Sequence, residues 1–370
     1  MSTIRRSFLK NSAALAASAA LPVLSRAQAA PEQRQFNPQP GEWRTFEVTT
    51  RVDVLEPVGT TRVWLPVPSI NNDWQKSLEN SFSSNGNAQM ASDAHYGAKM
   101  LSVEFSPSQK QPFAEITSRV QTRNRGIDWN VKQSLQEDPA TLKARTLPTS
   151  LIPTDGIVLK TAREATVGAK TDVEKVRKIY DWVVENTYRE PKVRGCGEGD
   201  VKTSLETGNL GGKCADINAI FVGMCRSLGI PARDLYGVRL VPSAFPYKEL
   251  SGNPSSLKGA QHCRSEVYLK GYGWVAMDPA DVAKVMRQET AEWIKSIQHP
   301  IVAPVNKALF GNWEGNWLAY NNAHDVALPG AKGPKLGFFM YPAAETDIER
   351  LDSYSPDAFK YQITAREIKA

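Results

Sequence analysis

The sequence predicts an α+β protein in which a strand-rich region precedes a mixed region of helices and strands. Residues 43–128 contain short runs of alternating apolar and polar residues. Residues 139–194 change to a helical spacing, and residues 213–281 combine one amphipathic helix with a hairpin pattern. We divide the chain into a leader, a β-rich domain, a mixed core and a C-terminal extension that packs on the core: 1–29, 40–135, 140–290 and 300–370.

The leader, residues 1–29, has the composition of an export signal. Arg5 and Arg6 precede Ser-Phe-Leu-Lys, which is similar to the twin-arginine motif. Residues 13–24 are mildly apolar, and Ala-Gln-Ala at 27–29 places small residues at a cleavage site. This apolar run is too short to span a bilayer, and no other run is long enough. We expect a periplasmic protein without stable membrane insertion.

Most of the formal net charge of +6 belongs to that leader. It contains four basic residues and no acidic residue, so removing it leaves a charge of +2 on the rest of the chain. A nearly neutral body gives no electrostatic reason to expect nucleic acid as a partner.

The β-rich domain is predicted to contain several short strands separated by turn-forming residues. The runs that favour strands are 45–52, 62–68, 100–105 and 114–120. Their spacing is typical of a small β-sandwich. The polar stretch at 71–98 predicts loops.

The pattern becomes helical after Pro139. Asp172 is predicted to cap a helix whose apolar residues recur at i, i+3, i+4 and i+7. These apolar residues are Val173, Val176, Ile179, Tyr180, Val183 and Val184.

The best-specified element is a helix from Cys214 to Leu228. Its apolar stripe consists of Ile217, Ile220, Phe221, Met224 and Leu228. Gly229, Ile230 and Pro231 predict its end, because glycine turns the chain, the isoleucine can pack back and proline cannot continue a helix. Cys214 therefore lies in the first turn, where the helix N-terminus stabilises a thiolate and the backbone N–H can receive an oxyanion.

Residues 261–279 predict a β-hairpin that turns at Lys-Gly-Tyr-Gly, 270–273. His262 begins the first strand and Asp278 ends the second, so their side chains are expected to lie side by side. A thiol needs a histidine to take its proton and an acid to orient that histidine. We therefore predict Cys214 as nucleophile, His262 as base and Asp278 as orienter.

The other cysteines are Cys196, Cys225 and Cys263. So few cysteines do not make a disulfide scaffold, although a bond between Cys196 and Cys263 stays open. Zinc is disfavoured because the only close ligand pair is His262 and Cys263, whose side chains point to opposite faces of a strand. We expect no metal and no cofactor, and we place Cys225 in the core.

The C-terminal extension is rich in Trp, Asn and Pro. Trp313 and Trp317, with the amide-rich segment 320–325, could line a binding cleft. The alternative, that the indole rings fill the edges of the core, is the one we favour.

At its central motifs the chain resembles the transglutaminase-like superfamily. The matching motifs are Gly-Gly-Lys-Cys-Ala-Asp at 211–216, Leu-Gly-Ile-Pro-Ala-Arg at 228–233, and the stretch 262–279. The resemblance covers about residues 170–285 and extends more weakly into both flanks. It implies a papain-like α+β core, with the nucleophile helix packed on an antiparallel sheet.

The resemblance also implies a chemistry. Cys214, His262 and Asp278 would be nucleophile, base and orienter in attack on an amide carbonyl, through a thioester intermediate. Relatives supply a second oxyanion donor from a side chain upstream of the cysteine. Asn209 is our candidate for that role, and Tyr188 is the alternative.

We expect an exported cysteine enzyme that cleaves or transfers peptide or isopeptide-type amide bonds in a peptide or protein substrate. Hydrolysis is favoured because water is the default acceptor unless a site excludes it. The alternative is a non-catalytic binding or assembly protein that retains the fold. That alternative predicts a missing member of the triad, whereas all three residues are present.

Overall fold

The computed structural model describes residues 34–133, 136–355 and 359–369. The predicted leader, residues 1–29, lies outside the described residues, and the predicted domain boundaries stay a prediction. Among the described helices, none combines the length and the apolar character needed to span a bilayer.

Six strands come first in the described chain and belong to two antiparallel sheets. They are β1 (Arg44–Val54), β2 (Thr61–Pro66), β3 (Gln75–Ser84), β4 (Asn87–Ser92), β5 (Lys99–Phe105) and β6 (Phe113–Thr122). β1 and β6 bury every second residue, as alternation predicts. Phe46 of β1, Leu65 of β2 and Phe105 of β5 belong to one apolar cluster, so the two sheets share a core. The prediction of a sandwich-like region is confirmed.

The prediction of loops at 71–98 is wrong, because β3 and β4 lie there. Both strands are mostly exposed. Each lies at the edge of its sheet, β3 beside β6 and β4 beside β5. An edge strand that faces water on both sides can be polar along its length, so no apolar periodicity marks it in the sequence.

Helices and short strands alternate in the middle of the chain. They are α1 (Pro139–Ala144), α2 (Gly156–Ala165), α3 (Asp172–Asn186), β7 (Tyr188–Arg189), α4 (Val201–Thr207), β8 (Gly211–Gly212), α5 (Cys214–Ser227) and β9 (Ala232–Arg239). α3 begins one residue earlier than predicted, since Thr171 and not Asp172 is its cap. Thr171 Oγ1 accepts from the Glu174 N–H at 3.2 Å, and Glu174 Oε2 accepts from the Thr171 N–H at 3.0 Å. This reciprocal pair is a capping box.

α5 ends as the sequence predicts. Gly229 has a φ of 76°, a left-handed conformation that favours glycine. The Gly229 N–H donates to the Arg226 carbonyl at 2.9 Å, and the Ile230 N–H donates to the Cys225 carbonyl at 3.0 Å. These two bonds form a Schellman motif, which satisfies carbonyls at the helix end. α5 packs against α2 and α3, and its other contacts include β9.

The remaining elements complete the core and return to the N-terminal sheets. They are β10 (Gln261–Leu269), β11 (Gly273–Met277), α6 (Pro279–Gln288), α7 (Ala303–Ala308), β12 (Phe310–Gly311), β13 (Trp317–Asn321), β14 (His324–Val326), β15 (Leu336–Phe338), β16 (Ala343–Glu345), β17 (Arg350–Leu351) and β18 (Phe359–Ile368). A 3-10 turn, Lys248–Leu250, lies between β9 and β10.

The central sheet has the order β12-β11-β10-β9-β13 and is antiparallel. α5 packs on β10, which gives the predicted helix-on-sheet core. Gly237 of β9 lies opposite His262 of β10. A Cβ at Gly237 would lie 1.9 Å from the Leu318 carbonyl oxygen and 2.7 Å from the Trp317 ring. Glycine at 237 therefore lets Trp317 approach the strand that carries His262.

The C-terminal extension does more than cover the core. β18 pairs with β1 along ten residues, and β16 pairs with β2. Trp313 and Trp317 are buried, with their rings 5.8 Å apart, and both contact Trp74. The two indole rings thus fill the core, which is the alternative that we favoured.

Candidate active site

Cys214 is the first residue of α5 and is only 2% exposed. Asp216, in the same turn, fixes this end of the helix. Its carboxylate accepts from the N–H groups of Lys213, Glu198 and Gly199, each at 2.9 Å. The helix start is thereby tied to the preceding loop, and the thiol lies where the positive end of the helix dipole favours a thiolate.

His262 and Asp278 meet as the hairpin pattern predicts. His262 Nε2 lies 2.8 Å from Asp278 Oδ2. The β10–β11 ladder ends with the pair Ser265 and Met277, so His262 and Asp278 lie just beyond its open end. The Trp317 indole N–H donates to the His262 carbonyl at 3.0 Å and fixes the backbone there. With Nε2 engaged by Asp278, Nδ1 is the ring nitrogen left for the nucleophile.

A second carboxylate, Asp281, was not predicted. Its Oδ2 lies 3.4 Å from His262 Nε2, and both of its oxygens accept from Arg239 Nη2, at 2.5 and 2.7 Å. Asp278 caps α6 by accepting from the Asp281 N–H at 3.1 Å. The signal in the sequence was the motif Asp-Pro-Ala-Asp at 278–281. An acidic cap followed by proline at the first helical position starts a helix, and the first turn of that helix brings the second acid beside the first.

Cys214 and His262 line one small cavity, together with Arg239 and Asp281. Its volume is about 40 Å³, enough for roughly one water molecule. Gln261 and Lys284 also line it. The structure therefore brings Cys214 and His262 together at a cavity too small to hold a peptide, with Asp278 beside His262.

Burial and neighbouring groups shift the pKa values of the nucleophile and the base in opposite directions. Burial raises the pKa of Cys214, but hydrogen bonding to Cys196, Cys263 and His262 outweighs burial and leaves that pKa well below its ordinary value. Burial lowers the pKa of His262, but the carboxylates of Asp281 and Asp278 outweigh it and raise the pKa to about 9. The site thus favours a thiolate beside an imidazolium.

These shifts predict how stability depends on pH. The raised pKa of His262 stabilises the fold below about pH 6.5, and this is lost as pH rises towards 9. The lowered pKa of Cys214 stabilises the fold above about pH 8.5, and this is lost as pH falls. Between pH 6.5 and 8.5 the folded and unfolded pair each bind one proton, so this pair contributes no pH dependence. Cys214→Ser keeps only the contribution of His262. We therefore expect its free energy of unfolding to fall by up to about 1.4 kcal/mol for each unit that pH rises across that range, as measured by urea denaturation.

Cys225→Ser is the matched control for this measurement. Burial raises the pKa of Cys225 in the folded state, and below about pH 7.5 this thiol is protonated in the unfolded state as well. Its replacement should change the free energy of unfolding but not its pH slope between about pH 6.5 and 7.5. Parallel pH profiles for wild type and Cys214→Ser would contradict the assignment of a thiolate to Cys214.

The predicted oxyanion donors lie apart from the cavity. Asn209 is exposed, and its Oδ1 accepts from the Gly211 N–H at 3.4 Å. Tyr188 is half-buried against Trp293, with ring centroids 5.5 Å apart. Neither residue lines the cavity that holds Cys214 and His262. A side-chain oxyanion donor at Asn209 stays a prediction.

Two further thiols approach the nucleophile. The Sγ atoms of Cys196, Cys214 and Cys263 all lie within 4.8 Å of one another, and all three residues are buried. The four cysteines form no disulfide bond in the structure, and Cys225 lies in the core. His262, Asp278 and Asp281 also lie within 4.8 Å of one another, but Arg239 already supplies a positive charge there.

Comparisons with known proteins bear on the family and the fold of the chain. A family model described as the transglutaminase-like superfamily matches residues 159–279. A Haemophilus influenzae protein named "uncharacterized protein" is 34% identical over 345 residues, which cover 87% of this chain and 91% of that protein. The crystal structure of a Cytophaga hutchinsonii protein, named "putative cysteine protease", aligns with a TM-score of 0.53 and 15% identity. That alignment covers 90% of this chain and 93% of the other and indicates a shared fold.

Proposed function

The chain belongs to the transglutaminase-like superfamily, and from that premise we propose that it is a cysteine enzyme that cleaves or transfers peptide or isopeptide-type amide bonds. The observation that carries this proposal is the 2.8 Å contact between His262 and Asp278 at the edge of the cavity that Cys214 also lines. A buried thiolate, an imidazole and an orienting carboxylate are the groups that acyl transfer through sulfur requires.

In the proposed reaction, the Cys214 thiolate attacks the amide carbonyl carbon, and the carbonyl oxygen takes the electron pair. The Cys214 N–H, at the start of α5, is the backbone donor that we propose for that oxyanion. As the C–N bond breaks, the His262 imidazolium gives its proton to the leaving amine, and a thioester on Cys214 remains. Water or a second amine then attacks the thioester. His262 takes the proton of the incoming group, and Cys214 leaves as the thiolate.

Arg239 and Asp281 act as positioning residues in this proposal. The doubly hydrogen-bonded Arg239–Asp281 pair holds a negative charge 3.4 Å from His262 Nε2. That charge stabilises the imidazolium form that protonates the leaving amine. Because the cavity measures about 40 Å³, a peptide substrate requires its lining residues to separate first.

We also propose that the enzyme works outside the cytoplasm. The support is the twin-arginine-like leader and its small-residue cleavage site in the sequence. In fractionated cells, replacing Arg5 and Arg6 with lysine should retain the protein in the cytoplasm; unchanged export would overturn this part of the proposal.

The test of the activity is mass spectrometry of an unfolded protein substrate incubated with the enzyme, with and without a primary amine. Hydrolysis gives new termini with the mass of one added water, and transfer gives adducts of the amine with loss of the leaving group. Both should disappear in Cys214→Ala and persist in Cys225→Ala, which removes a buried thiol elsewhere on α5. An acyl-enzyme on Cys214 would identify the intermediate.

The alternative remains a non-catalytic binding or assembly protein with this fold. The small volume of the cavity and the 2% exposure of Cys214 favour it. It predicts that neither hydrolysis nor transfer of the unfolded protein substrate is detected, while that substrate still binds. That result, with no acyl-enzyme on Cys214, would overturn the proposed activity.

A further inference from the structure

Three thiols meet at the nucleophile, although acyl transfer uses only one. Cys196 comes from the loop before α4, Cys214 from the start of α5 and Cys263 from β10. They are 4%, 2% and 0% exposed, respectively. Their Sγ atoms lie within 4.8 Å of one another. Three sulfur atoms from three segments of the chain thus face a common point.

We propose that Cys196, Cys214 and Cys263 form a binding site for a thiophilic divalent cation such as Zn²⁺. Zn²⁺, Cd²⁺ and similar soft cations bind well to sulfur ligands, whereas Mg²⁺ and Ca²⁺ prefer oxygen ligands. The site exists in the folded chain whether or not Cys214 is catalytic. Its regulatory consequence, that a bound cation blocks the nucleophile, rests on the proposed function.

The distances suit such a cation. Zn–S bonds of about 2.3 Å in tetrahedral geometry place the sulfur atoms roughly 3.8 Å apart. The Sγ atoms, which lie within 4.8 Å of one another, therefore need to approach by at most about 1 Å to coordinate the cation together. Side-chain rotation of cysteine can supply a movement of this size without a change in the backbone.

The backbone around the thiols is held firmly. The Ala215 N–H donates to the Cys196 carbonyl at 2.9 Å, and Asn218 Nδ2 donates to the Cys263 carbonyl at 2.9 Å. Gly197 has a φ of 86°, and a Cβ there would lie 1.8 Å from Asp216 Oδ2. Only glycine lets the loop approach Asp216 so closely, and this approach places Cys196 beside α5.

The hydrogen bonds of Cys196 are compatible with a metal-bound thiolate. The Tyr341 hydroxyl donates to Cys196 Sγ at 3.1 Å, a bond that a thiolate strengthens. The Cys196 thiol donates to the Gln261 carbonyl at 3.3 Å, and this bond would be given up with the proton. Tyr341 thus orients Cys196 in the way that outer partners orient metal ligands.

The charges also balance. Binding M²⁺ to the Cys214 thiolate and to the Cys196 and Cys263 thiols releases two protons to solvent. The cation and three thiolates then carry one net negative charge, which the neighbouring His262 imidazolium offsets. Of the three thiols, Cys214 lines the small cavity beside His262, and that cavity is the proposed route of the cation to the cluster.

The experiment is a titration of the reduced full chain with Cd²⁺, read by the ultraviolet charge-transfer absorption of thiolate–cadmium bonds and by proton release in weak buffer. We expect one Cd²⁺ per chain. Cys196→Ser and Cys263→Ser should each weaken binding at least about tenfold, since loss of even an outer partner of a metal ligand costs that much. Cys225→Ser, the matched control, should bind within about twofold of wild type, because Cys225 lies outside the cluster.

Circular dichroism of each variant separates loss of the site from loss of the fold. The site is overturned if wild type shows no thiolate–cadmium absorption, or if folded Cys196→Ser and Cys263→Ser bind Cd²⁺ with the affinity of wild type. The result is also distinct from failure of the proposed activity. Cd²⁺ binding by a chain that forms no acyl-enzyme would leave the metal site standing. An acyl-enzyme in a chain that binds no Cd²⁺ would overturn the metal site and support the proposed activity.

Discussion

Cys214 of the wild-type chain should be alkylated by iodoacetamide at pH 6 at nearly the rate seen at pH 8, and His262→Ala should slow the reaction at pH 6 by about ten- to a hundredfold. The wild-type thiol is held as a thiolate by its neighbours, so its reactive fraction changes little over this range. Removing the imidazolium takes away one of the groups that lower the pKa of Cys214, so that pKa moves towards that of an ordinary thiol, about 8.5, where well under a hundredth is ionised at pH 6. The lower intrinsic nucleophilicity of an acidic thiolate offsets part of the loss.

The measurement is the rate of mass gain on the peptide that contains Cys214, resolved from the peptides of the other cysteines. His324→Ala is the matched control, because His324 is also a buried histidine but does not line the cavity of Cys214. Its alkylation profile should coincide with that of wild type. Equal rates at pH 6 for His262→Ala and wild type would show that Cys214 is not activated by His262, and the proposed catalysis would lose its basis.

Local patterns in the sequence were sufficient for α5 and for the hairpin that carries the site. The end of α5 depends on residues adjacent in the chain, Gly229 and Ile230, so its hydrogen bonds could be anticipated. The contact between His262 and Asp278 followed from the antiparallel return of one strand on the next. Both features arise from interactions between residues at most 16 positions apart.

Features that depend on distant parts of the chain were not predictable in this way. β18 pairs with β1 across more than 300 residues, and nothing in either strand specifies its partner. Cys196 approaches Cys214 because a glycine turn at Gly197 fits against Asp216, and Cys263 approaches it because β10 packs against α5. The spacing of cysteines in the sequence disfavoured a metal site, since it reveals only ligands that share one local element. The fold brings the three thiols together from separate elements.

Asp281 was also not predicted from local sequence patterns, although it lies only three residues after Asp278. The sequence placed Asp278 beside His262 but did not reveal that the helix it caps would present a second acid to the same imidazole. The partner of that acid, Arg239, lies at the end of β9 and is only 2% exposed. Burial of Arg239 opposes its charge, but Asp281 outweighs burial and raises the pKa of the guanidinium. Each ion is therefore stabilised in the interior by the other.

Asp281→Ala should accordingly lower the free energy of unfolding by about 3–5 kcal/mol, because it leaves the Arg239 cation buried without its partner. Urea denaturation at pH 7 measures this loss.

Glu79→Ala is the control: Glu79 pairs with Arg119 at 2.6 Å but its side chain is 69% exposed, so its loss should cost about 0–1 kcal/mol. Arg239→Met combined with Asp281→Leu should be more stable than Asp281→Ala, since it removes both charges and keeps most of the buried volume. A cost for Asp281→Ala as small as that for Glu79→Ala would mean that water reaches Arg239, and that Asp281 does not hold the imidazolium of His262 in a dry site.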